Sequence, residues 1–293
     1  MKKYMNRILA TVLVLALTGC AAPAAEEKQD GADHPKEGGV TCAADDPVRI
    51  DKKDGETVAL QPFKHINLGV KAADIVLETG SEYAVTYHLH DRENLERAEV
   101  VGDTFYFRTG MEGDKRPEFE DWYVKITVPE SAFLENIRLF TVAGNIRISD
   151  RVFGETDLET TAGSIEVSCV TGDALEMDTV SGDILLSGSN VLEVSAENKT
   201  GRISLEGDFN EAEVYSVSGS CELSGMLLEE AEMETVSGSI TVRTNAPAME
   251  AESVGGVFLN GEKKGRVYEK DHSGAELDLK SVSGEIHIYT EDQ

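Results

Sequence analysis

The chain has 293 residues, 40% hydrophobic and 6% aromatic, the composition of a soluble protein with one large or two modest folded bodies. Against 27 lysines and arginines stand 55 acidic residues, leaving a formal charge of −28. That balance excludes nucleic acid as a partner, since phosphates need basic patches, and makes cations or basic surfaces the natural counterparts.

The first twenty residues read as an export signal. Lys2, Lys3 and Arg7 form a basic start, Ile8 to Ala16 is nearly all apolar, and the stretch closes on Leu17-Thr18-Gly19-Cys20. This apolar run is too short to span a bilayer. "LTGC" matches the lipobox of bacterial lipoproteins and predicts cleavage before Cys20, lipidation of Cys20 and anchoring of the mature chain to the cell membrane on its extracytoplasmic side. Loss of Lys2, Lys3 and Arg7 takes the formal charge from −28 to −31. More than one acyl chain, palmitate among them, suits durable anchoring.

Residues 21–46 are Ala, Gly, Pro and charge, with too little apolar surface to order themselves. They read as a disordered tether with a reach of about 28 Å. The cysteines that remain, Cys42, Cys169 and Cys221, are odd in number and argue against a disulfide framework.

Residues 47–130 form a strand-rich N-terminal part. "HINLGV", "ADIVLE", "YAVTYHLH", "DTFYFRT" and "YVKITV" are rich in β-branched and aromatic residues and are separated by charged or Gly-containing breaks. His88 and His90 share one strand face beside Asp91, but a structural zinc site needs four ligands, so solvated strand histidines are expected. Trp122 and Tyr123 are expected to cap the first rung of the repeats that begin at residue 131.

Residues 131–290 repeat. Tetrads like "TVSG" end at Gly144, Gly163, Gly182, Gly201, Gly219, Gly238, Gly256 and Gly284, in steps of 18 or 19 residues until a last step of 28. Two positions after each Gly stand Ile146, Ile165, Ile184, Ile203, Cys221, Ile240, Phe258 and Ile286; five before stand Leu139, Leu158, Met177, Ala196, Val214, Met233, Ala251 and Leu279. Alternation within a unit and identity between units predict a β-solenoid of about eight two-strand repeats with inward apolar ladders. Glycine serves a sharp corner, and the Thr or Ser three residues before it predicts a hydroxyl ladder there. Near Gly255-Gly256 the upstream columns fit Gly256 as zero, whereas Val257 and Leu259 fit Gly255, so a one-residue irregularity is expected. Cys221 takes an Ile position as a small core residue, and Cys169 falls where other units place Gly188, Gly207 and Gly225.

"FKHINLGVKAADIVLETGSEYAVTY", "VKITVP" and the run of T-V-S-G-[DS]-I units resemble the bacterial putative-adhesin β-strand-repeat family, over roughly residues 60–290. The resemblance implies an exported or membrane-attached protein. Some members are similar to accessory proteins of envelope-stress systems, which would make an accessory or sensory subunit binding another membrane protein the alternative function. The family carries no established catalytic residues, and this chain departs from it at 261–274 and at Cys221.

Positions eight, six and four before each Gly alternate with the inward columns and should face solvent. Sixteen of these twenty-four sites are acidic, and Arg138 and Lys280 are the two basic ones. Asp157, Glu159, Glu176, Asp178, Glu197, Glu213, Glu232, Glu234, Glu250 and Glu252 are therefore the candidate binding face. Stacked carboxylates repel, by roughly 0.2–1 kcal/mol per opposed pair. A solvated face that deters edge pairing is one reading; uptake of hard cations or a basic partner is the other. No D-x-[DN]-x-[DN]-G loop is present, so weak Ca²⁺ binding is the most that the pattern predicts, with no cofactor. Residues 261–274 read as a protruding loop, and Lys263, Lys264, Arg266 and Lys270 are a second candidate contact that could instead fold back on the acids. A β-helix polysaccharide-processing enzyme would want aromatic platforms and a basic residue among the acids, and no Gly-x-Ser-x-Gly elbow appears. The chain is thus read as a non-enzymatic cell-surface binding module with a protein or surface-polymer ligand.

Overall fold

In the computed structural model, residues 48–50, 55–89, 93–111 and 122–290 are described. Cys20, the tether, Cys42, His90 and Asp91 lie outside them. The chain divides into units Met1–Ala43 and Ala44–Gln293, and the described strands all belong to the second. Among the described residues every regular element is a strand, and no helix is long and apolar enough to cross a membrane.

The N-terminal strands are β1 (Val48–Arg49), β2 (Thr57–Ala59), β3 (His65–Val70), β4 (Asp74–Gly80), β5 (Ala84–His88), β6 (Glu93–Val101), β7 (Thr104–Met111) and β8 (Tyr123–Pro129). The repeats supply β9 (Leu134–Ala143), β10 (Ile146–Ser149), β11 (Val152–Ala162), β12 (Ile165–Ser168) and β13 (Thr171–Ser181). Then come the long bent strands β14 (Ile184–Thr200) and β15 (Ile203–Ser218), followed by β16 (Cys221–Gly225), β17 (Leu227–Thr235) and β18 (Ile240–Thr244). The chain ends with β19 (Ala248–Leu259), β20 (Glu262–Lys270), β21 (Glu276–Ser281) and β22 (Ile286–Thr290).

These strands stack in two walls. The first runs β7, β3, β9, β11, β13, the second halves of β14 and β15, then β17, β21 and the start of β19, all parallel. The second runs β8, β4, β10, β12, the first halves of β14 and β15, then β16, β18, β22 and the end of β19. Period-two alternation puts every second side chain between the walls. Ile146, Ile165, Ile184, Ile203, Cys221, Ile240 and Ile286 are direct partners from layer to layer and all are fully buried. Leu139, Leu158, Met177, Ala196, Val214, Met233, Leu279 and Ala251 make the facing ladder. Burial pushes the Cys221 thiol up to about 12, so it behaves as a small apolar side chain.

The repeated glycine is explained by close approach. A Cβ on Gly163, Gly182, Gly201, Gly219 or Gly238 would run into the carbonyl oxygen of the glycine one layer earlier. That same oxygen accepts the hydroxyl three residues before the next glycine: Thr160 Oγ1 donates to Gly144 O at 3.0 Å and Thr179 Oγ1 to Gly163 O at 3.1 Å. One corner therefore demands both members of T-x-x-G, glycine for space and the hydroxyl to satisfy the carbonyl. Asn198 replaces the hydroxyl in one layer; its Nδ2 lies 3.5 Å from Gly182 O, and its Oδ1 accepts from Ser216 Oγ at 2.6 Å.

The structure adds three features beyond the repeat pattern. A further inward column ten or eleven residues before each glycine joins Leu134, Phe153, Gly172, Val191, Phe209 and Leu227, with Phe153 filling the space over Gly172. At the opposite corner Asp150, Cys169 and Gly188 adopt φ of 54°, 53° and 57°, so Cys169 occupies a left-handed position. Arg151 is 2% exposed, and its guanidinium donates to Asp150 O, Pro129 O and Thr79 Oγ1 at 2.8, 3.1 and 2.6 Å, tying the second wall together.

The stacking order corrects a straightforward extrapolation of the repeat. The last unit lies between its two predecessors: β21 pairs with β17 on one side and β19 on the other, and β22 likewise sits between β18 and β19. The N-terminal strands show the same habit, with β3 and β4 between β7/β8 and β9/β10. Trp122 is buried at the start of β8, its carbonyl accepting from Asp74 N at 2.9 Å. At Gly255 the expected irregularity is present: Met249, Ala251 and Ser253 partner Leu277, Leu279 and Ser281, but Val257 partners Ile286. Leu259 therefore partners Ile288, as the register counted from Gly255 predicts. Residues 261–274 do not form a protruding loop, because β20 pairs antiparallel along β19 from Lys270 to Glu262 and covers the end of the stack.

Candidate acidic binding face

The outward side of the first wall carries the acids. From β11 onward the column six before glycine reads Asp157, Glu176, Ser195, Glu213, Glu232, Asp278, Glu250, each beside the next. The column four before reads Glu159, Asp178, Glu197, Tyr215, Glu234, Lys280, Glu252, and the column eight before adds Glu155, Glu193, Glu211, Glu230 and Glu276. All ten candidate acids thus fall on one wall, alternating with buried core residues such as Leu158, Leu175, Met177 and Met233.

Counter-charge is sparse. Arg138 Nε donates to Asp157 Oδ2 at 2.9 Å at one edge, and Lys280 Nζ donates to Asp278 Oδ2 at 2.6 Å near the other, with Glu234 at 4.0 Å. Between these two cations the carboxylates face one another. Burial and the neighbouring carboxylates Glu176, Glu197, Asp157 and Glu159 raise the Asp178 carboxyl from 3.8 to about 7. Burial first likewise raises Glu159, Glu176, Glu197 and Glu232; adjacent acids add to it at each, while Arg138, Lys199 and Lys280 oppose it at Glu176, Glu197 and Glu232 respectively. Burial also raises Glu211, beside Glu193, Glu229 and Glu230. The half-buried Asp178, with an acid above, below and two residues before it on its own strand, is the centre of this field. Among the described residues no group of three or more His, Cys, Asp or Glu is gathered closely enough to hold a metal ion. The acids line a wall and do not converge on a point.

The lysines of β20 do not fold back over these acids. Lys263 partners Phe258 on the second wall, Lys264 Nζ bonds Glu262 Oε2 at 2.7 Å within its own strand, and Lys270 partners Met249 at the end of the stack. Arg266 is exposed between Gly265 and Val267. The structure therefore brings the ten acids together, and among the described residues none of the four basic residues forms an ion pair with them. The column Glu159, Asp178, Glu197 is visible in the sequence, but the raised carboxyl of Asp178 is not.

The outward positions of the second wall carry a different ladder. Side chains of Asp74, Asn145, Ser164 and Asp183 each accept the backbone N–H of the next layer, at Asn145, Ser164, Asp183 and Arg202, over 2.8–3.3 Å. These polar residues serve the corner, which leaves the first wall as the strongly charged surface.

Comparison with known families finds that the model described as Toastrack DUF4097 matches residues 63–289. A comparison with curated proteins finds no significant match. Among solved structures, a "putative adhesin" from Bacteroides fragilis is 14% identical with a TM-score of 0.49, covering 80% of this chain and 95% of that one. A "putative lipid binding protein" from Parabacteroides distasonis is 19% identical with a TM-score of 0.48, covering 81% and 96%. A "putative cell adhesion protein" from Clostridium sporogenes is 14% identical with a TM-score of 0.31, covering 84% and 100%.

Proposed function

We propose that this chain, which belongs to the Toastrack family, is a non-enzymatic binding module, anchored outside the cell membrane by lipid on Cys20 and using the acidic wall to hold a cation-bearing protein or polymer. The observation that carries this reading is the register itself: Asp157, Glu176, Glu213, Glu232 and Glu250 share one column, and Glu159, Asp178 and Glu197 the next. Folding alone gains nothing from like charges placed opposite one another. A basic ligand would relieve the repulsion, and a field of one sign would also speed its encounter.

The test is a pull-down from envelope extract with the full chain and with a variant carrying Glu159→Gln, Glu176→Gln and Glu197→Gln. A protein or polymer retained by the parent and lost by the folded variant supports the reading. Identical captures would sink it. Weak Ca²⁺ capture belongs to the same surface. Millimolar Ca²⁺ is expected to raise the melting temperature more than NaCl at matched ionic strength; equal shifts would mean screening alone.

A further inference from the structure

The second wall ends in a surface of opposite character. Four successive strands, β18, β22, β19 and β20, place Arg243 beside Tyr289, His287 beside Phe258, and Phe258 beside Lys263. The Arg243 guanidinium lies 4.9 Å from the Tyr289 ring centroid. His287 and Phe258 stack with centroids 4.8 Å apart and planes 13° off parallel, and the Lys263 ammonium sits 5.4 Å from the Phe258 centroid. Glu285 Oε2 holds His287 Nε2 at 3.1 Å.

What sets this group apart is the use made of its cations. Acids outnumber bases 55 to 27, and Arg138, Arg147, Lys125 and Lys280 each find a carboxylate. Arg243 and Lys263 are exposed, and among the described residues each is braced on a ring instead of a carboxylate. A guanidinium lying on an aromatic ring keeps its N–H edge free, in the planar fork that matches a carboxylate.

From this arrangement we infer a second contact surface, distinct from the acidic wall, which binds an acidic polysaccharide across Arg243, Tyr289, His287, Phe258 and Lys263. The strands at its two ends are three spacings apart, about 14 Å, and Arg243 is offset from Lys263 by two residues along them, about 7 Å, so the cations lie on a diagonal of about 16 Å that carboxylates repeated along one sugar chain can span. Between them the ring edges of Phe258 and Tyr289 offer apolar contact to sugar C–H groups, and the Tyr289 hydroxyl offers a hydrogen bond. The geometry disfavours nucleic acid, because bases need open ring faces and the faces of Phe258 are taken by His287 and Lys263. It disfavours an anionic membrane too, which calls for a larger basic cluster.

The experiment is calorimetric titration of the full chain with polygalacturonate, with neutral dextran and with a single-stranded oligonucleotide of equal charge. Polygalacturonate is expected to bind at low ionic strength, dextran not at all, and the oligonucleotide at least tenfold more weakly. Arg243→Gln and Lys263→Gln together are expected to weaken polygalacturonate binding at least tenfold at unchanged melting temperature. Should that pair unfold the protein, Tyr289→Ala, which removes the brace under Arg243, is the second variant, expected to weaken binding severalfold. The acidic-wall variant Glu159→Gln/Glu176→Gln/Glu197→Gln is expected to leave this binding intact, so failure here and failure of the acidic-wall function are separable. Absence of binding, equal binding of dextran or of the oligonucleotide, or unchanged affinity in the folded Arg243/Lys263 variant would each overturn the inference.

Discussion

Gly201→Val is expected to destabilise the protein by about 4 kcal/mol, the size reached when backbone strain and a buried clash coincide. Gly201 has φ of 124°, which an L side chain adopts only under strain, and a Cβ there would enter the space of the Gly182 carbonyl oxygen. The neighbour in the way is main chain, which cannot swing aside as a side-chain tip could. Pushing the two layers apart would also break the Gly182 N to Thr200 O and Ile184 N to Arg202 O hydrogen bonds, 3.1 and 2.8 Å long. Urea unfolding monitored by circular dichroism measures the effect. Gly102→Ala is the control: its φ of 57° is unfavourable, but nothing lies within 4 Å of the added carbon, so a cost of about 1 kcal/mol is expected. Equal costs at the two sites would show that the corner is not held by close approach.

Asp178→Asn is expected to stabilise the protein at pH 8 and to do almost nothing near pH 4. The Asp178 carboxyl is raised from 3.8 to about 7, chiefly by burial and then by Glu176 and Glu197. The folded state therefore binds a proton that the unfolded chain releases. That contribution is complete below pH 3.8 and is lost progressively as pH climbs through about 7. The full shift corresponds to about 4 kcal/mol; halved for the solvent that reaches an outward wall, a gain of about 2 kcal/mol at pH 8 is expected for the asparagine variant. Glu159, Glu176, Glu197 and Glu232 shift in the same direction, so the parent should melt at a higher temperature near pH 5 than at pH 8. A flat difference between Asp178→Asn and the parent across this range would refute the repulsive column.

The ladders were legible because a stack repeats its environment. Ile146, Ile165, Ile184 and Ile203 recur at a fixed step since each meets the same neighbours, and the acids of the first wall alternate with buried residues for the same reason. What escaped was non-periodic or many-bodied. Arg151 has no counterpart in other units, so nothing in its spacing foretold a buried guanidinium satisfied by Pro129 O and Thr79 Oγ1. The column through Phe153, Val191 and Phe209 is broken by Gly172, which concealed it. The high carboxyl of Asp178 depends on four acids and its own burial at once. The grouping of Arg243, Tyr289, Phe258 and Lys263 requires knowing that β22 lies between β18 and β19, and adjacent units in sequence are not adjacent there.

That interleaving bears on how the stack can be completed as the chain folds. Synthesis delivers β19 before β21 and β22. At that moment the rim of β17 is open, and the column of Met249, Ala251 and Ser253 matches Ala231, Met233 and Thr235, since both sets bind the same strand in the finished protein. The closing segment from Ala275 onward must then wedge between two segments that suit one another already. Completing the stack therefore asks for a gap held open, or for a displacement after the fact, and β21 and β22, made after both of their neighbours, are the strands that close it.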